Sequence, residues 1–256
     1  MTSQAGGGQR LAGRRAFVTG AGGGLGRAIC ERLAAEGAAV AVVGRRLAVL
    51  TALADRIRAA GGGAVPLQLD VRDREAVNAC VAAAASELGG LDLVVNAAAI
   101  DTGWARSGDM DPGIWDDTIT TNLNGTYYVC RAALPFLIDA GGGTIVNVTS
   151  VAGHRAWPLD AAYNASKAGV ELLTRTLAVE YATDGVRANC LAPGVIDAGL
   201  TDTVTDDGER AELTAMHPMG RMGDVAEVAE AAVWLSAAAS SFTTGSTLRV
   251  DGGFLS

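Results

Sequence analysis

Short apolar segments rich in β-branched residues alternate along the chain with longer segments of alanine and leucine at helical spacing. Such alternation is typical of a parallel sheet whose crossover helices cover both faces. We therefore expect the α/β class: a single-domain, Rossmann-type, doubly wound parallel sheet of about seven strands with helices on both faces. The predicted strands lie at 15–19, 38–43, 64–69, 91–96, 143–149, 186–192 and 246–250, and the predicted helices begin near 24, 47, 73, 112, 160 and 224.

No proline-rich or charged linker divides the chain. We expect a flexible N-terminus at 1–12 followed by one domain at 13–256. Pro112 suits the first turn of a helix, and Asp160 is a plausible cap for the next predicted helix. The segment 195–223 is rich in Asp, Thr, Gly and Met and lies between a strand and a helix, so we predict a lid over a site there.

Composition limits the class of protein. The chain has 256 residues, of which 49% are hydrophobic, and this is enough for a sizeable core. Its formal net charge of −8 disfavours binding along a nucleic-acid backbone or an anionic membrane surface. No stretch approaches the roughly 18 uninterrupted apolar residues of a membrane span, and the first ten residues lack the apolar run of a signal peptide. We therefore expect a cytoplasmic protein.

The cysteines and histidines do not suggest a metal site. Four cysteines are widely separated, without the paired spacing of zinc or redox motifs, and only two histidines occur. Buried free thiols are the better interpretation of the cysteines. We expect no metal.

A glycine-rich turn follows the first predicted strand, in the run Thr19-Gly20-Ala21-Gly22-Gly23-Gly24-Leu25-Gly26. In a strand-turn-helix context, such a turn lets the backbone approach a pyrophosphate while the N-terminal amides of the helix face its charge. The alternative is a tight turn without a ligand, since the chain contains 34 glycines. The context favours nucleotide binding, with Gly20, Gly24, Leu25 and Gly26 as the candidate residues.

The ends of the second and third predicted strands bear on the choice of nucleotide. Gly44 stands where an acidic residue would bind the ribose hydroxyls of NAD, and Arg45 and Arg46 follow it. An arginine fork pairs well with a 2′-phosphate, so this end favours NADP over NAD, although both arginines could simply be solvated. Asp70 and Val71 end the third strand and are candidates to meet the adenine, unless Asp70 only caps the next helix.

The chain contains a single lysine, Lys167, four residues after Tyr163. On a helix this spacing puts both side chains on one face, about one turn apart. An ammonium group there would lower the pKa of the phenol from its usual value of about 10. The pair is thus a candidate tyrosine acid/base, and an accidental spacing is the alternative.

These motifs, with others in the same order, resemble the short-chain dehydrogenase/reductase (SDR) family of the classical type from about residue 13 to the end. The further matches are a serine thirteen residues before the tyrosine, an asparagine in the helix after the fourth strand, a Pro-Gly after the sixth strand and a terminal Asp-Gly-Gly. In this chain they are Ser150, Asn122, Pro193-Gly194 and Asp251-Gly252-Gly253.

The resemblance implies hydride transfer between a nicotinamide and a ketone or secondary alcohol. Tyr163 would exchange the proton, Ser150 would hold the reacting oxygen, and Lys167 would bind the nicotinamide ribose and tune the phenol. Asn122 would support a water that links Lys167 to solvent. Relatives of this kind are commonly homotetramers or homodimers.

The chain departs from the family at two cofactor positions. The usual Asn-Asn-Ala-Gly is here Asn96-Ala97-Ala98-Ala99, so an alanine replaces a glycine beside the cofactor, while Asn96 and Ala98 remain candidate cofactor residues. The threonine that commonly follows Pro-Gly and binds the carboxamide is also absent. Ile196 through its backbone, or Thr201, is the candidate to replace it.

Other functions and substrates remain to be weighed. A hydrolase with Ser150 as nucleophile is disfavoured because the serine lacks a glycine-flanked elbow. A catalytically silent NAD(P)-binding sensor or scaffold is the main alternative to an oxidoreductase. Aromatic and thioether side chains suggest an apolar substrate, whereas two arginines could recognise a carboxylate. The apolar-site candidates are Trp104, His154, Trp157, Met216, His217 and Met219, and the arginines are Arg106 and Arg155.

Overall fold

In a computed structural model of the chain, described for residues 9–198 and 206–256, seven parallel strands form one sheet in the order β3-β2-β1-β4-β5-β6-β7. The order reverses direction between β1 and β4. The strands are β1 Arg15–Thr19, β2 Ala39–Gly44, β3 Gly63–Gln68, β4 Leu93–Asn96, β5 Gly143–Val148, β6 Val186–Pro193 and β7 Thr247–Val250. The predicted sheet is confirmed, and each strand begins within two residues of its predicted start.

Eight α-helices occur in the described part of the chain. They are α1 Gly24–Ala35, α2 Leu47–Ala59, α3 Arg74–Leu88, α4 Pro112–Ile119, α5 Gly125–Asp139, α6 Ala161–Glu180, α7 Asp207–Ala215 and α8 Val225–Ser236. Helices α4 and α5 are joined without a break by a π-helical turn, Thr120–Asn124. None of the described helices is long and apolar enough to cross a membrane.

Helices cover both faces of the sheet because successive strand residues point to opposite sides. In β1, Val18 faces a core formed with α1, α2 and α8, while Phe17 faces a second core formed with α3, α5 and α6. Both residues are fully buried. The strands are therefore apolar on both sides, as the sequence pattern indicates for a doubly covered parallel sheet. All four cysteines are buried and free, as predicted.

Two local predictions need correction. The predicted lid segment contains an additional helix, α7, which is largely polar, has no buried residue and begins at an aspartate cap, Asp206. Its preceding residues, 199–205, lie outside the described part of the chain, so the lid itself stays a prediction. Asp160 stands at the N-cap position of α6, but its side chain makes no cap hydrogen bond. Pro112 does lie in the first turn of α4, after the capping residue Asp111.

The first turn after β1 packs directly against the end of β4. Gly20 has φ of +71°, and a Cβ built on it would lie 2.5 Å from the carbonyl oxygen of Ala97. The hydroxyl oxygen of Thr19 accepts hydrogen bonds from the amides of Ala97 and Ala98, both at 3.2 Å. The exits of β1 and β4 are therefore in backbone contact at the point where the strand order reverses.

We predict that Gly20→Ala lowers the free energy of unfolding by about 2–3 kcal/mol, because the new methyl group must displace backbone. The matched control is Gly61→Ala, which also has a positive φ, +88°, but has no atom within 4 Å of the built Cβ. That control measures backbone strain alone and should lose only about 1 kcal/mol. Denaturant unfolding measures both, and equal losses would contradict the packing argument.

Candidate active site

A cavity of about 1070 Å³ opens over the carboxyl ends of the strands, at the reversal of strand order. Open α/β sheets bind ligands at this position because the loops after adjacent strands diverge there. Most of the predicted site residues line it. They are Gly20, Gly24, Leu25, Gly26, Arg45, Arg46, Asp70, Val71, Ala98, Ser150, Tyr163, Lys167, Pro193, Gly194 and Ile196.

The glycine-rich turn forms one wall of this cavity. Helix α1 begins at Gly24 after an N-cap glycine, Gly23, and no side chain caps its first turn. The first turn of a helix has amides without a partner in the helix, and they carry the positive end of the helix dipole. Gly24 and Leu25 both line the cavity. This wall therefore fits a pyrophosphate, which would satisfy those amides.

The basic end of the cavity lies beside this turn. The guanidinium of Arg46 donates to the carbonyl of Gly22 at 2.7 Å and so supports the turn. Arg45 is exposed, lines the cavity and interacts with Asp70 only through its charge. Arg72 donates to Asp70 at 2.8 Å, and this hydrogen bond holds the pKa of the Asp70 carboxyl below its usual range.

Asp70 is not the cap of the next helix, since Asp73 accepts hydrogen bonds from the first-turn amides of α3. The alternative role considered for Asp70 is thereby removed, and Asp70 and Val71 line the cavity just after β3.

Three of the four predicted catalytic residues meet in the middle of the cavity. Ser150 follows β5, and its hydroxyl oxygen accepts the amide of Ala152 at 3.1 Å. Tyr163 and Lys167 share one face of α6, as predicted, with the Lys167 nitrogen 5.3 Å from the centre of the phenol ring. Lys167 is 4% exposed and donates to the carbonyl of Val148 at 3.0 Å.

The electrostatics of the protein groups differ from the sequence-based expectation. Burial, followed by the negative charge of Asp101, raises the pKa of Tyr163 above its usual value, and a hydrogen bond with Ser150 only partly opposes this. The expectation that Lys167 lowers the pKa of Tyr163 below its usual value is wrong when only the groups of the protein are considered. The physical reason is that burial destabilises the charged phenolate. Burial also lowers the pKa of Lys167, to about 8.

Asn122 lies behind the cavity wall and does not line it. Its side-chain oxygen accepts the amide of Ile100 at 2.8 Å, and its side-chain nitrogen donates to the carbonyl of Ile100 and to the hydroxyl of Ser166. It is 1% exposed and lies in the π-helical turn. The side chain therefore ties the loop after β4 to the helix that carries Lys167, and it positions that helix.

Asn96 is also placed away from the cavity, contrary to its assignment as a cofactor residue. It is 4% exposed, and its side-chain nitrogen donates to Asn147 of β5 at 2.9 Å. Asn147 in turn donates to Thr174 of α6 at 2.8 Å. This buried polar chain braces two strands and a helix.

The substrate-facing candidates divide into two groups. Trp104, Trp157 and Met216 line the cavity, whereas the two histidines and Met219 do not. His154 pairs with Glu171 at 2.8 Å, and the buried His217 ring bridges the amide of Val195 and the carbonyl of Leu213. Arg106 and Arg155 are exposed and also lie outside the cavity lining.

Four acidic residues in the cavity lining were not identified as site residues from the sequence. Asp160 was interpreted only as a cap, although its position three residues before Tyr163 puts it near the phenol. The others lie in loops or on the unpredicted helix α7, where no motif marks them. The four residues are Asp101, Asp160, Glu209 and Glu212.

Comparisons with known proteins agree with this geometry. A family model described as enoyl-(acyl carrier protein) reductase matches residues 20–255. Cis-4-hydroxycyclohexanecarboxylate dehydrogenase of Sinomonas cyclohexanicum is 40% identical, covering 96% of this chain and 98% of the relative. The 3beta-hydroxysteroid dehydrogenase 1 of Eggerthella lenta is 39% identical, with 95% and 94% covered. A solved structure of a gluconate 5-dehydrogenase from Burkholderia cenocepacia in complex with NADP and tartrate has a TM-score of 0.92 at 36% identity, covering 97% of each chain.

A strand reversal, a glycine turn and a Ser-Tyr-Lys group in one cavity define a nucleotide-binding oxidoreductase. With these matches over nearly the whole chain, the protein belongs to the short-chain dehydrogenase/reductase family. It is an NAD(P)-dependent short-chain dehydrogenase acting on small-molecule alcohols. The named relatives have chemically different substrates, so their names do not identify the alcohol.

We predict that Lys167→Arg lowers kcat/KM by at least about 100-fold, within the usual effect of a residue acting on general acid/base chemistry. The planar guanidinium is larger than an ammonium, and it would have to be buried with a permanent charge. The matched control is Arg74→Lys, which lies on the surface of α3. Steady-state kinetics of both variants are measured with an alcohol that the wild-type enzyme oxidises. Near-normal activity of Lys167→Arg would contradict the prediction.

Proposed function

We propose that this enzyme prefers NADP(H), with Tyr163 as the acid/base, Ser150 as the group that holds the reacting oxygen, and Lys167 as the cation beside them. The observation that supports this proposal best is that all three side chains line the same cavity as the glycine turn and Arg45. A catalytically silent sensor would need the glycine-rich turn and the other nucleotide-binding residues, but it would not need Ser150, Tyr163 and Lys167 in the same cavity. We therefore do not retain that alternative.

The residues of the nucleotide wall fit the cofactor. The first-turn amides of α1 would hold the pyrophosphate, Arg45 the 2′-phosphate, and Asp70 with Val71 the adenine end. When bound, the nicotinamide supplies or accepts the hydride. The carboxamide end would meet Pro193, Gly194 and the backbone of Ile196, which line the opposite end of the cavity. Thr201, the other candidate for this contact, lies outside the described residues.

The protein side chains then account for the proton. In the reducing direction, Tyr163 donates its proton to the oxygen of the new alcohol, and Ser150 hydrogen-bonds the same oxygen. The raised pKa of Tyr163 keeps this proton available at neutral pH. In the oxidising direction the phenolate takes the alcohol proton, and the Lys167 ammonium favours that phenolate below the lysine pKa of about 8. Oxidation of an alcohol releases one proton overall, so it should be favoured as the pH rises.

Asn122 has a positioning role in this proposal. Its side-chain nitrogen donates to the hydroxyl of Ser166 at 3.1 Å, and Ser166 immediately precedes Lys167 in the chain. This hydrogen bond fixes the start of α6 against the loop after β4. Both side-chain N–H groups of Asn122 are used, by the carbonyl of Ile100 and the hydroxyl of Ser166. The water that the family resemblance puts between Asn122 and Lys167 would therefore have to donate to Asn122, whose side-chain oxygen accepts one described hydrogen bond and has a second lone pair.

We predict that Tyr163→Phe lowers kcat/KM by at least about 100-fold in both directions while nucleotide binding persists. The removed hydroxyl is the proposed proton carrier, and the ring that remains still fills its place. Tyr181→Phe is the matched control, because Tyr181 lies at the far end of α6. NADPH absorbance reports turnover, and NADPH fluorescence reports binding. Nucleotide binding by the wild type without turnover across a broad panel of alcohols and ketones would contradict the proposal.

The preference for NADP depends on Gly44 and Arg45. A Cβ at Gly44 would have its nearest neighbour, a methyl of Leu50, at 3.5 Å, so a side chain can be accommodated there. Gly44 carries no charge that would repel a 2′-phosphate, and Arg45 is exposed beside it. The Asp70 carboxylate also lines this end of the cavity, but it is hydrogen-bonded to Arg72.

We predict that Gly44→Asp shifts the ratio of kcat/KM for NADP to that for NAD by at least tenfold toward NAD. A carboxylate there repels the 2′-phosphate and accepts hydrogen bonds from the ribose hydroxyls of NAD. Gly44→Asn is the matched control, with the same size and no charge, and it should shift the ratio less. If both variants leave the ratio unchanged, Arg45 does not recognise the phosphate.

We also infer a cytoplasmic homotetramer or homodimer, as the family resemblance implies. Several large apolar side chains are exposed on α4, α5 and α6, and we propose this surface for the contact between subunits. They are Trp115, Tyr127, Leu172 and Val179, which are 42%, 46%, 65% and 83% exposed.

A further inference from the structure

The substrate end of the cavity is acidic. Asp101, Asp160, Glu209 and Glu212 line it, whereas the only described basic side chain of the lining away from the nucleotide end is Lys167. Arg106 and Arg155, which could have recognised a carboxylate, are outside this lining. A negatively charged substrate would therefore meet like charges and no arginine. The charge distribution favours a substrate without a carboxylate.

Asp101 and Asp160 are held in place from several sides. The indole nitrogen of Trp104 donates to Asp101 at 3.1 Å, and the amide of Ala105 donates to the carbonyl of Leu159 at 2.9 Å. The second bond joins the loop after β4 to the segment that precedes α6. Both carboxyl groups line the cavity together with Tyr163, and each is close enough to the other to affect its pKa.

The backbone before Asp160 adopts a conformation that side chains disfavour. Leu159 has φ of +68°, and it is the only non-glycine residue of the described chain with a positive φ. Its side chain is 47% exposed, so packing of that side chain does not explain the strain. Strain of this kind persists where the surrounding structure requires it, and it concentrates at functional sites. Here it accompanies a carboxyl group that is only 6% exposed and lines the cavity without capping its helix.

Burial, followed by the charge of Asp101, raises the pKa of Asp160 to about 7. The backbone amide of Tyr163 partly opposes this rise in the pKa of Asp160, although the Asp160 side chain makes no cap hydrogen bond. Burial also raises the pKa of Asp101, so the two carboxyl groups can share a proton close to neutral pH, because two adjacent carboxylates do not both ionise easily. A pair in this state offers a hydrogen-bond donor on Asp160 and a charged acceptor on Asp101.

We propose that Asp101 and Asp160 together bind a second, non-reacting hydroxyl group of the substrate, so that the enzyme selects diols and polyols over simple alcohols and hydroxy acids. A hydroxyl group donates to one carboxyl and accepts from the other. A carboxylate only accepts and is repelled by Asp101. An ammonium only donates, and it would lie near the charge of Lys167. Trp104 and Trp157 add flat apolar surface for the carbon skeleton.

This inference rests on the proposed dehydrogenase function, and a matched set of substrates separates the two. On a six-carbon ring the set is cyclohexanol, cis- and trans-cyclohexane-1,2-diol and 2-hydroxycyclohexanecarboxylate. The acyclic set is butan-2-ol, butane-2,3-diol and 3-hydroxybutanoate. We expect kcat/KM for the better diol of a set to exceed that of its simple alcohol and of its hydroxy acid by at least tenfold. Equal or reversed ranking in the wild-type enzyme overturns the inference and leaves the dehydrogenase assignment intact.

Substitutions of Asp101 and Asp160 then test whether these two residues cause the preference for diols. Asp101→Ala and Asp160→Ala should each lower the ratio of kcat/KM for diol to that for simple alcohol by at least tenfold, mainly through KM for the diol. Asp160→Asn keeps a donor in the place of the protonated carboxyl, so it should restore the ratio to within about threefold. Asp109→Ala, an exposed position in the same loop, is the matched control and should leave the ratio unchanged.

Thermal melting establishes that each variant is folded before its ratio is interpreted. If an alanine variant does not fold, the wild-type ranking and Asp101→Asn, which removes the charge and keeps the shape, carry the test. A diol preference that survives both alanine variants overturns the assignment to this pair. If no compound of either set is turned over with NADP or NAD, the diol inference fails, and turnover on the broad panel of alcohols and ketones then tests the proposed catalytic roles separately.

Discussion

The backbone contact between the exits of β1 and β4 determines where the rest of the site can form. Gly20 lies so close to the carbonyl of Ala97 that no side chain fits between them, and Thr19 holds the amides of Ala97 and Ala98. Since the order of strands reverses at this contact, the loops on its two sides turn in opposite directions and leave a crevice. The glycine turn, the loop after β4 and the start of α6 all open into that crevice.

Within the crevice, burial sets the chemistry of the Tyr163 and Lys167 pair. Both side chains lose water, so the phenol resists ionisation and the ammonium is less stable than in solution. Asp101 acts on both groups, since it raises the pKa of the phenol and opposes the fall in that of the lysine. The protein therefore holds the proton on the tyrosine, and a positive charge from the bound nicotinamide would act in the opposite direction.

Nearly all of the nucleotide site was predictable because it consists of local chemistry. A glycine turn between a strand and a helix, a glycine followed by two arginines, and a tyrosine and lysine at helical spacing each specify a local geometry. Asn96 and Asn122 show the limit of such reasoning. Both match family positions, yet each is buried behind the cavity, where it bonds to residues far away in the chain. Their partners, Asn147 and Ser166, carry no motif that would reveal the contact.

The sequence by itself determined the parallel sheet, the covering helices and the motifs proposed to bind the nucleotide, because strand and helix periodicity depend only on neighbouring residues. Only the tertiary structure decided which charges face the substrate. Asp101 and Asp160 are separated by a strand, two helices and several loops, and they meet because the loop after β4 folds against the segment before α6. Their altered protonation likewise depends on burial and mutual approach, which no local pattern specifies.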